Sequence, residues 1–338
     1  MKGDNNMQNF IKSFTTIIMA FFSLLGLART PYDKPIDAYN GGDPFIVETQ
    51  EGCYYTYTTG GGVDILKTES FDKIEVTEKK TVFWAGENGT VGDIWAPEIH
   101  KIGDRWYIIA AALFDKNAVP MGAMPDAKEY TENNDYYRYS FILESNTEDI
   151  FGDYTFKGII SPNGLNTIDG TYLQKDDKLY FVCSAYVDVA LQCLYICEME
   201  NPYTLKSDAK AVRISSPTYY WEKIGWWVNE GPAVLYKDDD IFIVYSASGY
   251  SSGGYCMGLL TYKGGDITDS CNWSKSPTRL SYHNVAKSIY HAGHCSFLYR
   301  ENGEIYMVYH ATPTADFFDS PRLTYIKPVE FAFGKPVI

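Results

Sequence analysis

The segment from Val228 to Tyr250, VNEGPAVLYKDDDIFIVYSASGY, joins two short apolar runs through a polar turn. Glu230-Gly231-Pro232 opens the first run, Lys237 to Asp240 make the turn, and Ile241 to Ser246 return. Strand-length runs joined by so short a link predict a β-hairpin, here with a carboxylate at its mouth. The unit recurs along the chain. Asp43-Pro44-Phe45-Ile46 leads to Cys53–Thr58, Pro97-Glu98-Ile99 to Trp106–Ala111, Asp169-Gly170-Thr171 to Leu179–Ser184, and Gly293-His294-Cys295 to Ile305–His310. Lead residues at 43, 98, 169, 230 and 294 are spaced by 55, 71, 61 and 64 positions. Irregular spacing of that size, with strand pairs as the unit, fits propeller blades carrying loops and does not fit a tight solenoid. The predicted fold is all-β, a five-bladed β-propeller. No linker rich in Pro or Ser divides it, which predicts one domain.

Composition narrows the partners. The formal charge is −14, from 43 acidic and 29 basic residues, with no basic run. That balance disfavours nucleic acid and anionic membranes and is compatible with a neutral polysaccharide. Aromatic residues make up 16% of the chain. Most are expected in strands and core, and a minority to line a site as platforms for the apolar faces of sugar rings.

Residues 1–28 read as a signal peptide. Lys2 and Lys12 precede the apolar stretch Phe14 to Leu25, and Gly26-Leu27-Ala28 offers a cleavage site. The stretch is too short for a comfortable membrane span. The expected mature protein, 29–338, is therefore secreted or periplasmic, with no membrane association after cleavage. Seven cysteines is an odd number. Most are expected to serve packing, with one or two disulfides allowed: Cys183, Cys193 and Cys197 cluster around one predicted hairpin, and Cys256 and Cys271 share another unit. A polar insertion, Asp115 to Asp135, and the glycine-rich stretch Gly249 to Gly254 are the loops expected to shape a site.

Asp43, Asp169 and Glu230 each sit beside Pro or Gly where an apolar strand begins. Singly, each reads as a turn residue. Together they occupy one place in a repeated unit, and the innermost strands of a propeller converge on its central channel. Acids gathered there would repel, raising the pKa of at least one. One protonated acid beside one ionised base is what an acid–base hydrolase requires.

These stretches resemble glycoside hydrolase family 43, whose members are five-bladed propellers acting on arabinose- and xylose-containing polysaccharides. The resemblance is carried, in family order, by GGDPFI at 41–46, IWAPEIHKIGDRWYI at 94–108, TIDGTYL at 167–173, VNEGPAVL at 228–235 and AGHCSF at 292–297. NEGPAVL, YSASG and YCMGLLT look closest to exo-acting α-L-arabinofuranosidases of that family. The resemblance implies that Asp43 is the general base, Glu230 the general acid, and Asp169 the carboxylate that tunes the acid. It implies inversion at the anomeric centre, which needs roughly 6.5–9.5 Å between acid and base. It places Phe45, Trp95 and Arg322 along the substrate, with Trp226 and Trp227 toward the leaving group. It sets His294 against a metal, often calcium, in the central channel, with no cofactor required for the chemistry. Here the sequence departs from the common pattern, with Ala292 ahead of Gly293 and Cys295 after His294.

The expected activity is release of terminal α-L-arabinofuranose from plant cell-wall arabinan, arabino-oligosaccharides or arabinoxylan. A β-xylosidase, a β-galactofuranosidase or an endo-arabinanase would share the three acids and differ in the loops. A non-catalytic sugar-binding propeller is the alternative from another class.

Overall fold

The computed structural model describes residues 35–36, 41–58, 61–71, 73–86, 88–115, 117, 136–188 and 191–338. The expected signal peptide and nearly all of the Asp115–Asp135 insertion lie outside them. The described chain is all-β, its only helical turns being short 3-10 segments. Among the described residues no helix is long and apolar enough to cross a membrane.

The strands follow one another in antiparallel groups. The first comprises β1 (Phe45–Thr49), β2 (Gly52–Thr58), β3 (Gly62–Ser70) and β4 (Lys73–Trp84), paired in chain order. The second comprises β5 (Thr90–Ile102), β6 (Arg105–Asp115), β7 (Tyr136–Ser145) and β8 (Tyr154–Ile160). The third holds β9 (Thr167–Lys175), β10 (Lys178–Asp188) and β11 (Leu191–Asn201), with the short β12 (Thr204–Leu205) and β13 (Val212–Ser215) on β11. The fourth holds β14 (Trp227–Lys237), β15 (Asp240–Ala247), β16 (Cys256–Tyr262) and β17 (Trp273–Lys275). The fifth holds β18 (Tyr290–Tyr299), β19 (Ile305–Thr312) and β20 (Leu323–Pro328). A short parallel pairing, Leu191 with Trp227 and Gln192 with Val228, links the third group to the fourth. The Val228–Tyr250 hairpin forms as read: Lys237 pairs with Asp240, and Asp238 adopts φ 54° in the turn.

Packing shows how the groups are arranged. Phe45 and Ile65 of the first group meet Ile108 and Phe141 of the second in one core. Ile109 meets Phe181 between the second and third. Leu194 meets Ile243 between the third and fourth, and Leu235 meets Met307 between the fourth and fifth. Ile46 and Leu66 then meet Leu298 and Val308, so the fifth group packs back on the first. The leading strands touch in the same cyclic order: β1 with β5, β5 with β9, β9 with β14, β14 with β18, and β18 with β1. Each sheet is thus apolar on both faces, which is why β6 reads as the nearly unbroken apolar run Trp106–Ala112. Fully burying one Leu, Ile or Phe contributes about 1.5–3 kcal/mol, so the stability is spread over five intersheet layers.

The disulfides allowed by the sequence do not form. Cys183, Cys193, Cys197 and Cys256 carry buried free thiols, and Cys271 carries an exposed one. Cys256 points into the core, its thiol toward the Trp221 and Ala247 carbonyl oxygens. Cys271 lies in a surface turn, which separates the two.

Candidate active site

A single backbone device builds the site. Asp43, Ala96, Asp169, Gly231 and His294 all have left-handed φ, at 59°, 43°, 53°, 51° and 45°. Strand pairing slips beside four of them, between Trp95 and Glu98, opposite Ile168–Thr171, between Glu230 and Ala233, and between Gly293 and Ser296. A left-handed residue with a bulge bends the strand and re-aims its side chains, and such conformations are uphill for most residues. Structurally equivalent positions are therefore 43, 96, 169, 231 and 294. Glu98 falls two residues past this point and Glu230 one before it. Gly231 also leaves space: a Cβ there would stand 3.1 Å from Cγ of His294.

Asp43 is held by cations and a histidine. Its Oδ1 lies 3.1 Å from His294 Nδ1 and accepts from Arg322 Nη1 at 3.3 Å. Its backbone N–H donates to His310 Nδ1 at 3.1 Å. Burial by itself would raise the Asp43 pKa. The charges of His294 and Arg322 outweigh it and, with His310, hold the carboxyl well below the usual range. Burial pushes His310 down to about 4, which suits the acceptor role of its Nδ1. His294 moves the other way. Burial opposes its charge, but Asp43, Asp169 and Glu230 outweigh burial and raise it. The His294 backbone is pinned by its N–H donating to Ser246 Oγ at 2.7 Å.

Glu230 and Asp169 form a second, proton-holding pair. Burial, then the charge of Asp169, push Glu230 up to about 8. Burial pushes Asp169 to about 6, with the charge of Asp43 adding to it and that of His294 opposing. Two buried carboxyls that feel each other do not both ionise readily. The Tyr255 hydroxyl donates to Glu230 Oε1 at 3.0 Å, and the Gly231 N–H donates to Asp169 Oδ2 at 2.9 Å. The site thus carries an ionised carboxylate, Asp43, and a carboxyl that retains its proton near neutrality, Glu230.

Beneath Glu230 lies a buried polar network. Glu222 Oε1 accepts from Lys275 Nζ (2.6 Å), Asn229 Nδ2 (2.8 Å) and the Tyr245 hydroxyl (2.9 Å). Glu222 Oε2 accepts the Thr218 and Tyr219 N–H groups. Asn229 Oδ1 accepts from Ser215 Oγ at 2.6 Å. The residue preceding Glu230 is thereby fixed on both sides of its amide.

Beside Asp43 opens a cavity of about 150 Å³ lined by Gly42, Tyr57, Trp95, Pro97 and Arg322 among others. Trp95 and Arg322, expected along the substrate, both line this cavity with Asp43. Phe45 does not line this cavity: it is buried in the core against His100, with ring centroids 4.8 Å apart. Asp43 stands ahead of β1 with a left-handed φ of 59°, so its side chain is not bound to the alternation of the strand, whose first residue, Phe45, packs into the intersheet layer. Glu98 is buried and bonded to His100 Nε2 at 2.8 Å. Trp226 and Trp227 are half-exposed, with the Lys223 ammonium 4.6 Å from the centre of the Trp227 ring.

The donors do not fit a calcium ion held directly by protein. Calcium takes six to eight oxygen ligands, whereas His294 offers nitrogen and turns Nδ1 to Asp43. Among the described residues no group of three or more His, Cys, Asp or Glu is arranged to hold an ion.

Sequence reasoning did not find His310, Tyr255, Ser246, Arg138 or the Glu222–Lys275 pair. His310 closes the return strand of the fifth unit and Tyr255 opens the stretch YCMGLLT, so both lay within segments already singled out. Nothing local marks Lys275 or Arg138.

The family described as "Glycosyl hydrolases family 43" matches residues 32–336. The chain belongs to this family. Its relatives include alpha-L-arabinofuranosidase 43 of Humicola insolens, 31% identical over 88% of this chain and 60% of the relative. An extracellular exo-alpha-(1->5)-L-arabinofuranosidase of Streptomyces chartreusis is 30% identical over 86% of this chain and 85% of the relative. This chain thus spans about three fifths of the length of the Humicola protein and most of the Streptomyces one. Among solved structures, the alpha-L-arabinofuranosidase from Lactobacillus brevis superposes with a TM-score of 0.74 at 30% identity, covering 88% of this chain and 93% of that one.

Proposed function

We propose that this family 43 chain is a secreted, inverting glycosidase that removes terminal α-L-arabinofuranose from arabinan, arabino-oligosaccharides or arabinoxylan. In this reading residues 1–28 are a signal peptide and 29–338 a single five-bladed propeller, a blade count supported by the cyclic packing of the five strand groups. The observation that carries the reading is the divergence of two carboxyls in one site. Asp43 is held ionised while Glu230 keeps its proton near neutrality. The names of the arabinofuranosidase relatives support the sugar.

The reaction then follows from the residues. A water beside Asp43 loses its proton to the carboxylate and attacks the anomeric carbon from the face opposite the leaving oxygen. Glu230 gives its proton to that oxygen as the glycosidic bond breaks. Asp169 supplies the negative charge that keeps Glu230 protonated, and its bond to the Gly231 N–H steadies the strand bearing the acid. Arg322 and His294 stabilise Asp43 as an anion. No step needs a metal. A calcium near His294 would be structural and would take most of its ligands from water.

Proton NMR of arabino-oligosaccharides during the first minutes of incubation tests the reading. Early β-L-arabinose with stepwise shortening is expected. Mixed short oligomers would indicate endo action, and no release from arabinan, arabinoxylan or xylo-oligosaccharides by folded protein would overturn it. Asp43→Asn and Glu230→Gln should each lower turnover of the oligosaccharides by about a hundredfold or more.

A further inference from the structure

Trp95 is gripped from two directions. Its indole Nε1–H donates to Asp93 Oδ1 at 2.8 Å. The Arg138 guanidinium carbon lies 3.3 Å from the centre of its ring, stacked on one face. Arg138 and Asp93 are also joined to each other. Arg138 Nη1 donates to the Asp93 carbonyl oxygen at 2.7 Å, and Nη2 meets the Asp93 carboxylate. One Asp93 carboxylate therefore holds both the indole edge and the guanidinium that covers the indole face. Arg138 is only 5% exposed, whereas Trp95 is 37% exposed and lines the cavity with Asp43 and Arg322. The backbone is fixed as well, since Asp93 and Ala96, on either side of Trp95, have left-handed φ of 55° and 43°.

A planar guanidinium stacked on an aromatic face is a favourable and directional contact. A wall locked by such a contact cannot swing to widen the cavity, so the cavity keeps one breadth. A furanose ring has five members and carries its remaining carbon outside the ring. A pyranose of the same composition puts all five carbons in a broader six-membered ring. A fixed wall separates the two by shape, and a loosened wall separates them poorly.

We propose that Asp93 and Arg138 act as positioning residues that lock Trp95 and thereby set the preference of this site for a terminal furanose over a pyranose. The inference rests on the proposed glycosidase function and adds to it the residues that select the sugar. Neither residue touches the reacting atoms in this account.

The test compares 4-nitrophenyl α-L-arabinofuranoside with 4-nitrophenyl β-D-xylopyranoside as substrates of the full chain, with kcat and KM measured separately. In Arg138→Met, KM for the furanoside should rise about tenfold with kcat changed by less than about threefold. The furanoside-to-pyranoside ratio of kcat/KM should fall about tenfold. Arg138→Lys keeps the charge without the planar stack and should lose most of the same ratio. Asp93→Asn guards against a variant that merely unfolds, because its side chain is half-exposed. It should lower the ratio in the same direction in a protein that still unfolds in one cooperative transition, with a Tm well above the assay temperature. Equal losses on both glycosides, or an unchanged ratio in all three variants, would overturn the inference while wild-type furanosidase activity left the proposed function standing. A folded wild type that cleaves neither glycoside nor any oligosaccharide would overturn both.

Discussion

Asp169 Oδ2 accepts the backbone N–H of Gly231 at 2.9 Å, joining leading strands 62 residues apart in sequence. The bond ties the middle carboxylate to the residue that follows Glu230. It fixes the charge that raises Glu230 relative to the backbone that carries Glu230, so the two titrate as a pair.

The pH dependence of turnover should follow from that pair. Asp43 is already ionised throughout the neutral range, so loss of activity at high pH reports the acid proton. kcat/KM should fall as pH rises through about 8, where Glu230 gives up its proton. Tyr255→Phe removes a donor that favours ionised Glu230 and should move this limb to higher pH. Asp169→Asn removes a repelling charge and should move it lower. Profiles recorded on one aryl glycoside check both signs, and shifts in the same direction would contradict the assignment.

Stability should respond to pH through the same groups with opposite signs. The folded pKa of Glu230 lies above its unfolded value of 4.5. The folded state therefore holds more protons between those values, and stability declines as pH rises from about 4.5 to about 8. Asp43 is depressed, so its contribution is present above its unfolded value of 3.8 and is lost as pH falls below it. Thermal unfolding of wild type and Glu230→Gln at pH 5 and pH 8 checks this. The variant should gain relative stability at the higher pH.

Gly231→Ala should destabilise the protein. The position has φ 51°, and an added Cβ would meet the His294 ring. The left-handed conformation costs a non-glycine residue about 1–2 kcal/mol before any displacement of His294. Urea titration should show that loss, and activity should fall further than stability because Asp43 loses its partner.

Lys275→Met should cost about 3–5 kcal/mol, since it leaves Glu222 buried without its cation. The double variant Lys275→Met with Glu222→Gln should recover part of the loss. A chemical-denaturation cycle on the four proteins measures the coupling.

Much of the fold was legible in order along the chain. Strand-length apolar runs and polar turns marked the hairpins, because those patterns are local consequences of strand burial and turn chemistry. Asp43, Asp169 and Glu230 were legible as carboxylates opening those strands. The register was not. Spacing alone aligned Glu98 and Glu230 with Asp43, whereas the left-handed residues align Ala96 and Gly231 with it, and bulges of that kind leave little trace in composition.

Phe45 shows the limit of motif reasoning: nearness to Asp43 in sequence did not make it a neighbour of the cavity, because the left-handed Asp43 breaks the backbone ahead of β1 and Phe45, the first residue of that strand, is buried in the core. By itself the sequence determined the strand units, their order along the chain, and the acids at their mouths. Only the tertiary structure decided which side chains met: His294 and Arg322 on Asp43, the Tyr255 hydroxyl on Glu230, and the Arg138 guanidinium on the Trp95 ring. Those contacts span up to 279 positions of chain, and the ionisation they impose depends on burial and charge in three dimensions, which no local pattern records.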